Sequence, residues 1–154
     1  MFLEIRTEGE DLGKWYRMSK DPDTGKSVDL LIRRLPADIA RKLRKQKVRV
    51  KGNVTTIDVA TEEIRQREEA KHCWTGSRNL SLKAMDQGAV ALNSKLCPGL
   101  EFQVGQEVCV DAHLTDDLKW NLLTTYPEIV AFVRKRAAAL QVADDEEEEE
   151  AQGN

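Results

Sequence analysis

Leu114-Thr115-Asp116-Asp117-Leu118-Lys119-Trp120-Asn121-Leu122-Leu123, running on into Tyr126-Pro127-Glu128-Ile129-Val130-Ala131-Phe132-Val133, is the stretch that decides how this chain folds. Thr115 is a capping residue, and Asp116 and Asp117 place negative charge at the positive end of the helix that follows. Leu118 with Leu122 and Trp120 with Leu123 then recur at helical spacing. Tyr126, standing before a proline, is pushed out of the α region, whereas Pro127 suits the first turn of a new helix. Ile129, Val130, Phe132, Val133, Ala137 and Leu140 give that second helix a broad apolar face, with Arg134, Lys135 and Arg136 outside it. The spacing predicts two helices meeting at an angle at Pro127, the second ending near Val142.

Past Val142 the composition changes abruptly. Residues 144–150 are all Asp or Glu, and nothing from there to Asn154 is larger and apolar than Ala. Such a segment gains too little from burial to offset its ordering entropy, so residues 143–154 are expected to be a disordered acidic tail. The seven acids of the run lie within a formal net charge of −3, so the rest of the chain carries +4. The tail admits three readings: a solubilising appendage, a screen over the molecule's own basic surface, or a docking segment for a basic partner.

Upstream of Leu114 the pattern mixes periods. Phe2 to Thr7 alternates imperfectly. Lys14-Trp15-Tyr16-Arg17-Met18 and Val28-Asp29-Leu30-Leu31-Ile32 are extended runs on either side of Asp21-Pro22-Asp23-Thr24-Gly25, whose Asp-Pro and Gly supply turn chemistry. An N-terminal β-hairpin or small meander is predicted. Pro36 opens a short basic helix over about 36–46, with Ile39, Ala40 and Leu43 on one stripe. The β-branched residues between Val48 and Val59 indicate a strand or short hairpin. Thr61, Glu62 and Glu63 are read as the start of a helix over 62–74, paired by Glu63 and Arg67, anchored by Ile64 and Trp74, and stopped at Thr75-Gly76. Leu82, Met85, Ala89, Leu92 and Leu96 step by three and four, which predicts a helix over 81–95 despite Gly88. Phe102, Val104, Val108 and Val110 return to a two-residue period, predicting a strand or hairpin over 100–112.

These elements make an α+β chain: a small N-terminal β portion, a mainly helical C-terminal portion, and the tail. At 154 residues it is a single domain over 1–142 followed by residues 143–154. No apolar run approaches the roughly 18 residues a membrane span needs, and the charges in Met1-Phe2-Leu3-Glu4-Ile5-Arg6 stand where a signal peptide is apolar, so an intracellular chain is expected. Cys73, Cys97 and Cys109 are odd in number and lack framework spacing, which fits reduced thiols.

Little here points to catalysis. His72 and His113 are the only imidazoles, and no Ser or Cys stands in a nucleophile signature. Cys109 and His113, with Cys97 and His72-Cys73 upstream, lack the paired short spacings of zinc modules, and the glycines form no phosphate loop. The expectation is a non-enzyme without cofactor or metal. The segment from Arg33 to Lys51 holds nine Lys or Arg against one acid, Asp38, and is capable of touching phosphates electrostatically. It has no aromatic residue for base stacking, so a solvated basic face is the favoured reading over nucleic-acid contact. Trp15, Trp74 and Trp120 each adjoin apolar periodic positions and are read as core anchors.

The order of parts, a Leu35-Pro36 helix, a helix ending at Trp74-Thr75-Gly76, then Leu114 to Leu123 leading into Tyr126 to Val133 and an Ala-rich helix, resembles the tail assembly chaperones of long-tailed bacteriophages. The resemblance spans most of residues 28–142. Where the family pattern has a short loop, this chain places nearly forty residues between Gly76 and Thr115. The resemblance implies a protein of the host cytoplasm, absent from the finished virion. It would bind the long helical tape measure protein and keep it soluble until tail tube subunits polymerise around it. Such binding calls for an apolar groove with charge around it, and the face of Ile129, Val133 and Leu140, with Trp120 beside it, is the candidate partner-binding or self-association surface. The competing reading is a nucleic-acid-associated accessory protein using residues 33–51, with the acidic tail as internal competitor.

Overall fold

The computed structural model describes residues 13–45, 49–51, 54–56 and 59–152; the run Phe2 to Thr7 lies outside them. Strands β1 (Lys14–Lys20) and β2 (Ser27–Ile32) pair antiparallel, Tyr16 opposite Leu30. Their turn forms as its residues demand. Asp21 accepts from the Asp23 N–H at 2.9 Å and the Thr24 hydroxyl at 3.0 Å, and Gly25 takes φ +72°. At the other end of β1, Gly13 has φ +97°, and a Cβ there would lie 2.0 Å from the Ile32 carbonyl oxygen, so only glycine fits.

Helix α1 (Ala37–Lys45) follows Pro36, whose carbonyl accepts from Ala40 N–H at 2.9 Å, and it buries Leu43. The short strands β3 (Arg49–Lys51) and β4 (Val54–Thr56) form their own antiparallel pair. Helix α2 (Val59–Cys73) begins two residues before Thr61, so Thr61 lies inside the helix and not at its start. The helix is not anchored by Ile64, which is 48% exposed; it buries Ala70 and Cys73 instead. The Glu63–Arg67 pair forms at 3.9 Å.

Trp74-Thr75-Gly76 does not act as a helix-stopping turn. It is the start of β5 (Trp74–Arg78), which pairs antiparallel with β2 and makes the sheet order β1-β2-β5. A helix that passes directly into a strand has no glycine cap for its last carbonyls. Donors from distant residues take that role. Arg33 donates from its N–H to the Cys73 carbonyl and from Nε to that of His72, both at 2.8 Å. Lys119 donates from Nζ to the carbonyls of Lys71 at 3.2 Å and Trp74 at 3.0 Å, placing positive charge at the negative end of α2.

The long segment after Gly76 is built into the fold. It holds β6 (Ser81–Lys83), α3 (Gln87–Leu96), β7 (Glu107–Cys109) and a 3-10 turn (Asp111–His113), and it sends Leu80, Ala84, Cys97, Phe102 and Val110 into the interior. The helix expected over 81–95 is shorter. Leu82 is in a strand, and Asp86 caps α3 by accepting from Ala89 N–H at 2.8 Å. Met85 and Leu92, two of the residues that suggested the longer helix, are 71% and 46% exposed. Of the strand or hairpin expected over 100–112, a strand forms at Glu107–Cys109 and pairs with β6.

Asp111 locks this segment to the sheet. Its carboxylate accepts from Ser77 Oγ at 2.8 Å, Asn79 N–H at 2.7 Å, Leu80 N–H at 3.0 Å and Cys109 Sγ at 3.1 Å. Asn79, at φ +60°, makes the tight corner between β5 and β6.

Helices α4 (Asp116–Thr125) and α5 (Pro127–Gln152) form as expected up to Val142, with the Thr115 hydroxyl capping Leu118 N–H at 3.2 Å. Helix α5 then continues through the acidic run that composition assigns to a disordered tail. Ala, Gln and Glu are strong helix formers, and Gln141 Nε2 donates to Asp145 at 3.1 Å one turn on. After Leu140 every described side chain is exposed. Over its first half α5 crosses α2 and α4 and closes one core containing Leu30, Ile32, Trp74, Leu118, Leu123, Ile129 and Val133. Arg136 sits with its guanidinium 5.2 Å from the Tyr16 ring and 5.4 Å from that of Phe132. The described residues contain no helix long and apolar enough to cross a membrane.

Candidate binding cleft

Between α1 and α5, with α2 as the floor, lies an open cleft of about 930 Å³. Its walls follow from small residues at helical spacing. Ala37 and Ala40 of α1 face Ala131, Ala137 and Ala138 of α5, and side chains this short cannot fill the gap between the two helices. Around this apolar lining stand Arg34, Arg41 and Arg44 on one side and Arg134 and Lys135 on the other, five cations against the single carboxylate of Glu69. Cationic side chains around an apolar trough favour an anionic, partly apolar ligand.

The cleft is held in shape by charge. Glu69 of α2 binds Arg65 on its own helix and Arg134 of α5 at 3.1 Å; Arg65 also binds Glu62. Arg134 is thereby fixed at the wall, while Arg41, Arg44 and Lys135 extend into solvent. The Cys73 thiol beneath is 2% exposed. Burial, and then the neighbouring Glu69 carboxylate, push its pKa up to about 12. It is a neutral packing group rather than a nucleophile. His72 beside it is shifted below its usual value, first by burial and then by Lys71, so it is uncharged at neutral pH.

Of the residues named from sequence, Arg34, Arg41 and Arg44 line the cleft, whereas Arg33 is bound to the end of α2. The side chains of Arg49 and Lys51 lie outside the described residues. The candidate face of Ile129, Val133 and Leu140 is not an open groove. Ile129 and Val133 are 7% and 0% exposed within the main core, and Leu140 is also buried. The broad apolar stripe of α5 is covered by the chain's own α2, α4 and sheet. Trp120 is half-buried, with Lys71 Nζ 5.8 Å from its ring centroid. Among the tryptophans, Trp74 is fully buried, but Trp15 is 39% exposed and lies under the Arg78 guanidinium at 3.7 Å.

The other half of the cleft, Arg134, Lys135 and Ala138, was visible in the sequence only as the basic exterior of a helix. Joining it to a segment some ninety residues earlier takes the fold. Cys73 and Cys97 are in the core and Cys109 is exposed. Among the described residues no group of three or more His, Cys, Asp or Glu is arranged to hold a metal. No family model, curated protein or solved structure matches the chain.

Proposed function

We propose that the chain is a non-enzymatic binder of a helical protein segment, acting as a phage tail assembly chaperone on the tape measure protein in the host cytoplasm and leaving before the virion is complete. The observation that carries this reading is the cleft. An alanine-lined trough between two helices is open to a third helix, and the exposed Arg41, Arg44 and Lys135 around it favour one with an acidic face. Long helical proteins that wait for a tube to form around them expose amphipathic helices, and covering these keeps them soluble.

The test is co-expression with the product of the next gene downstream, which this reading expects to be a long, helix-rich protein, together with tail tube protein as a second candidate. The expected result is co-purification of the helical protein with the wild-type chain and its loss with the exposed pair Arg41→Glu and Arg44→Glu, whose circular dichroism stays native. A partner that fails to co-purify, or binds the double variant equally well, contradicts the proposal.

The same cations favour one second reading, contact with nucleic-acid phosphates, with the acidic run as competitor. It predicts that removing residues 144–154 tightens binding to a labelled single-stranded oligonucleotide, with steep salt dependence. If neither form binds at low salt, this second reading fails.

A further inference from the structure

Helix α5 carries both halves of a self-complementary pattern. Ala131, Lys135, Ala138, Val142 and Asp145 step by four, three, four and three along its length, which sets them on one face, and all five are exposed. The face is basic before residue 140 and acidic after it. Two such helices laid antiparallel about residue 140 bring Lys135 opposite Asp145 and Arg134 opposite Glu146, each twice. Ala138 of each then meets Val142 of the other at the centre. Val142 is 57% exposed in the single chain, an apolar side chain with no cover at the middle of this face.

The same helix lines the cleft. Ala131, Arg134, Lys135, Ala138 and Gln141 of α5 form one of its walls, so a second α5 running antiparallel along that wall enters the trough with its acidic end foremost. There the acidic run also comes alongside Arg41 and Arg44 on α1. The chain's own acidic run cannot do this while α5 is continuous. At about 1.5 Å per residue it lies roughly 5 to 14 Å beyond Gln141, directed along the axis and away from the cleft. We propose that the cleft takes the acidic end of α5 from a second copy of this chain, giving a two-fold dimer closed by reciprocal exchange of the two helices. The dimer shares the cleft proposed for the partner helix but does not depend on that partner. The partner's acidic face would displace the exchanged helices.

Sedimentation velocity of the full chain alone, at about 50 mM and about 500 mM salt, tests it. The expected result is a species of twice the 17.4 kDa chain mass at low salt that dissociates at high salt. Lys135→Glu and Asp145→Lys should each weaken dimerisation about thirtyfold, since the pair occurs twice and each copy turns repulsive. The two changes combined in one chain should restore it, because the opposed charges are exchanged. Circular dichroism of each variant shows that the fold is kept. A monomer at low salt, single variants that still dimerise, or a combined variant that stays monomeric overturns the proposal. So does a monomer in which deleting residues 144–154 shifts the NMR signals of Arg41 and Arg44, which would place the chain's own tail in the cleft. A monomer that still co-purifies with the helical partner refutes this dimer and leaves the chaperone reading intact; a charge-swapped dimer with no partner does the reverse.

Discussion

Replacing Asp111 with Asn should lower stability by about 2 kcal/mol at neutral pH, and the loss should fade in acid. One carboxylate here serves four donors from three segments: Ser77 in β5, Asn79 and Leu80 at the corner, and Cys109 in β7. Hydrogen bonds to a charged acceptor contribute roughly 1.5–3 kcal/mol each when buried, and less where solvent competes. The amide retains one acceptor oxygen and presents an NH2 group to the other donors, so about half of the interaction is lost and one N–H is left facing another donor. For a domain of this size, about 2 kcal/mol corresponds to a fall of roughly 6–8 °C in Tm. The pH dependence follows from the folded carboxyl. Burial alone would raise its pKa, but the bonds from Ser77, Cys109, Leu80 and Asn79 outweigh burial and hold it below the usual 3.8. The folded state therefore takes up this proton less readily than the unfolded state. The stabilisation is complete above the unfolded value and disappears as pH falls through the folded one. Thermal unfolding of wild type and Asp111→Asn at pH 7 and near pH 3 measures both. Equal Tm values at pH 7, or a gap that widens in acid, would refute the reasoning.

Lys119→Met removes the ammonium that caps α2 while keeping the aliphatic stem, and urea unfolding should show a loss of about 1.5–3 kcal/mol. Thiol titration of the native chain should modify Cys109 alone, with Cys73 and Cys97 reacting only after denaturation; rapid native reaction of Cys73 would contradict its burial. Ile64→Lys should change stability by less than about 0.5 kcal/mol because the side chain is half exposed. Trp74→Ala should cost about 3–5 kcal/mol or prevent folding, since that ring is fully buried.

The elements that could be read from sequence are those whose signals are local. Thr115, Pro127, Pro36 and the Asp21–Gly25 turn fix chain direction through capping and φ preference, and each stands where those preferences put it. The α+β class followed from them. Periodicity misled where apolar residues do not face the interior. Leu82, Met85 and Leu92 mimic one helical stripe, yet Leu82 belongs to a strand and the other two face solvent. Trp74 reads as a helix end because the carbonyl caps that let α2 become β5 come from Arg33 and Lys119, and no window along the chain contains all three. The acidic run illustrates a different limit. Composition marks a segment with little to bury, while helix propensity still sets its backbone conformation. The face read from sequence as the candidate binding surface is buried for a related reason. The most apolar stripe of α5 completes the core, and the open surface is its alanine-rich, basic flank beside α1.

The central claim, that a helical protein segment seats between α1 and α5, is tested most directly by site-specific photo-crosslinking in cells that express the chain with the long helical protein proposed as its partner. A photoreactive residue replacing Ala138, in the cleft wall, should give a covalent adduct of the two proteins, and the same group at Asp23, in the exposed turn between β1 and β2, should not. Adduct formation from Asp23 and not from Ala138, or from neither position, would contradict the account.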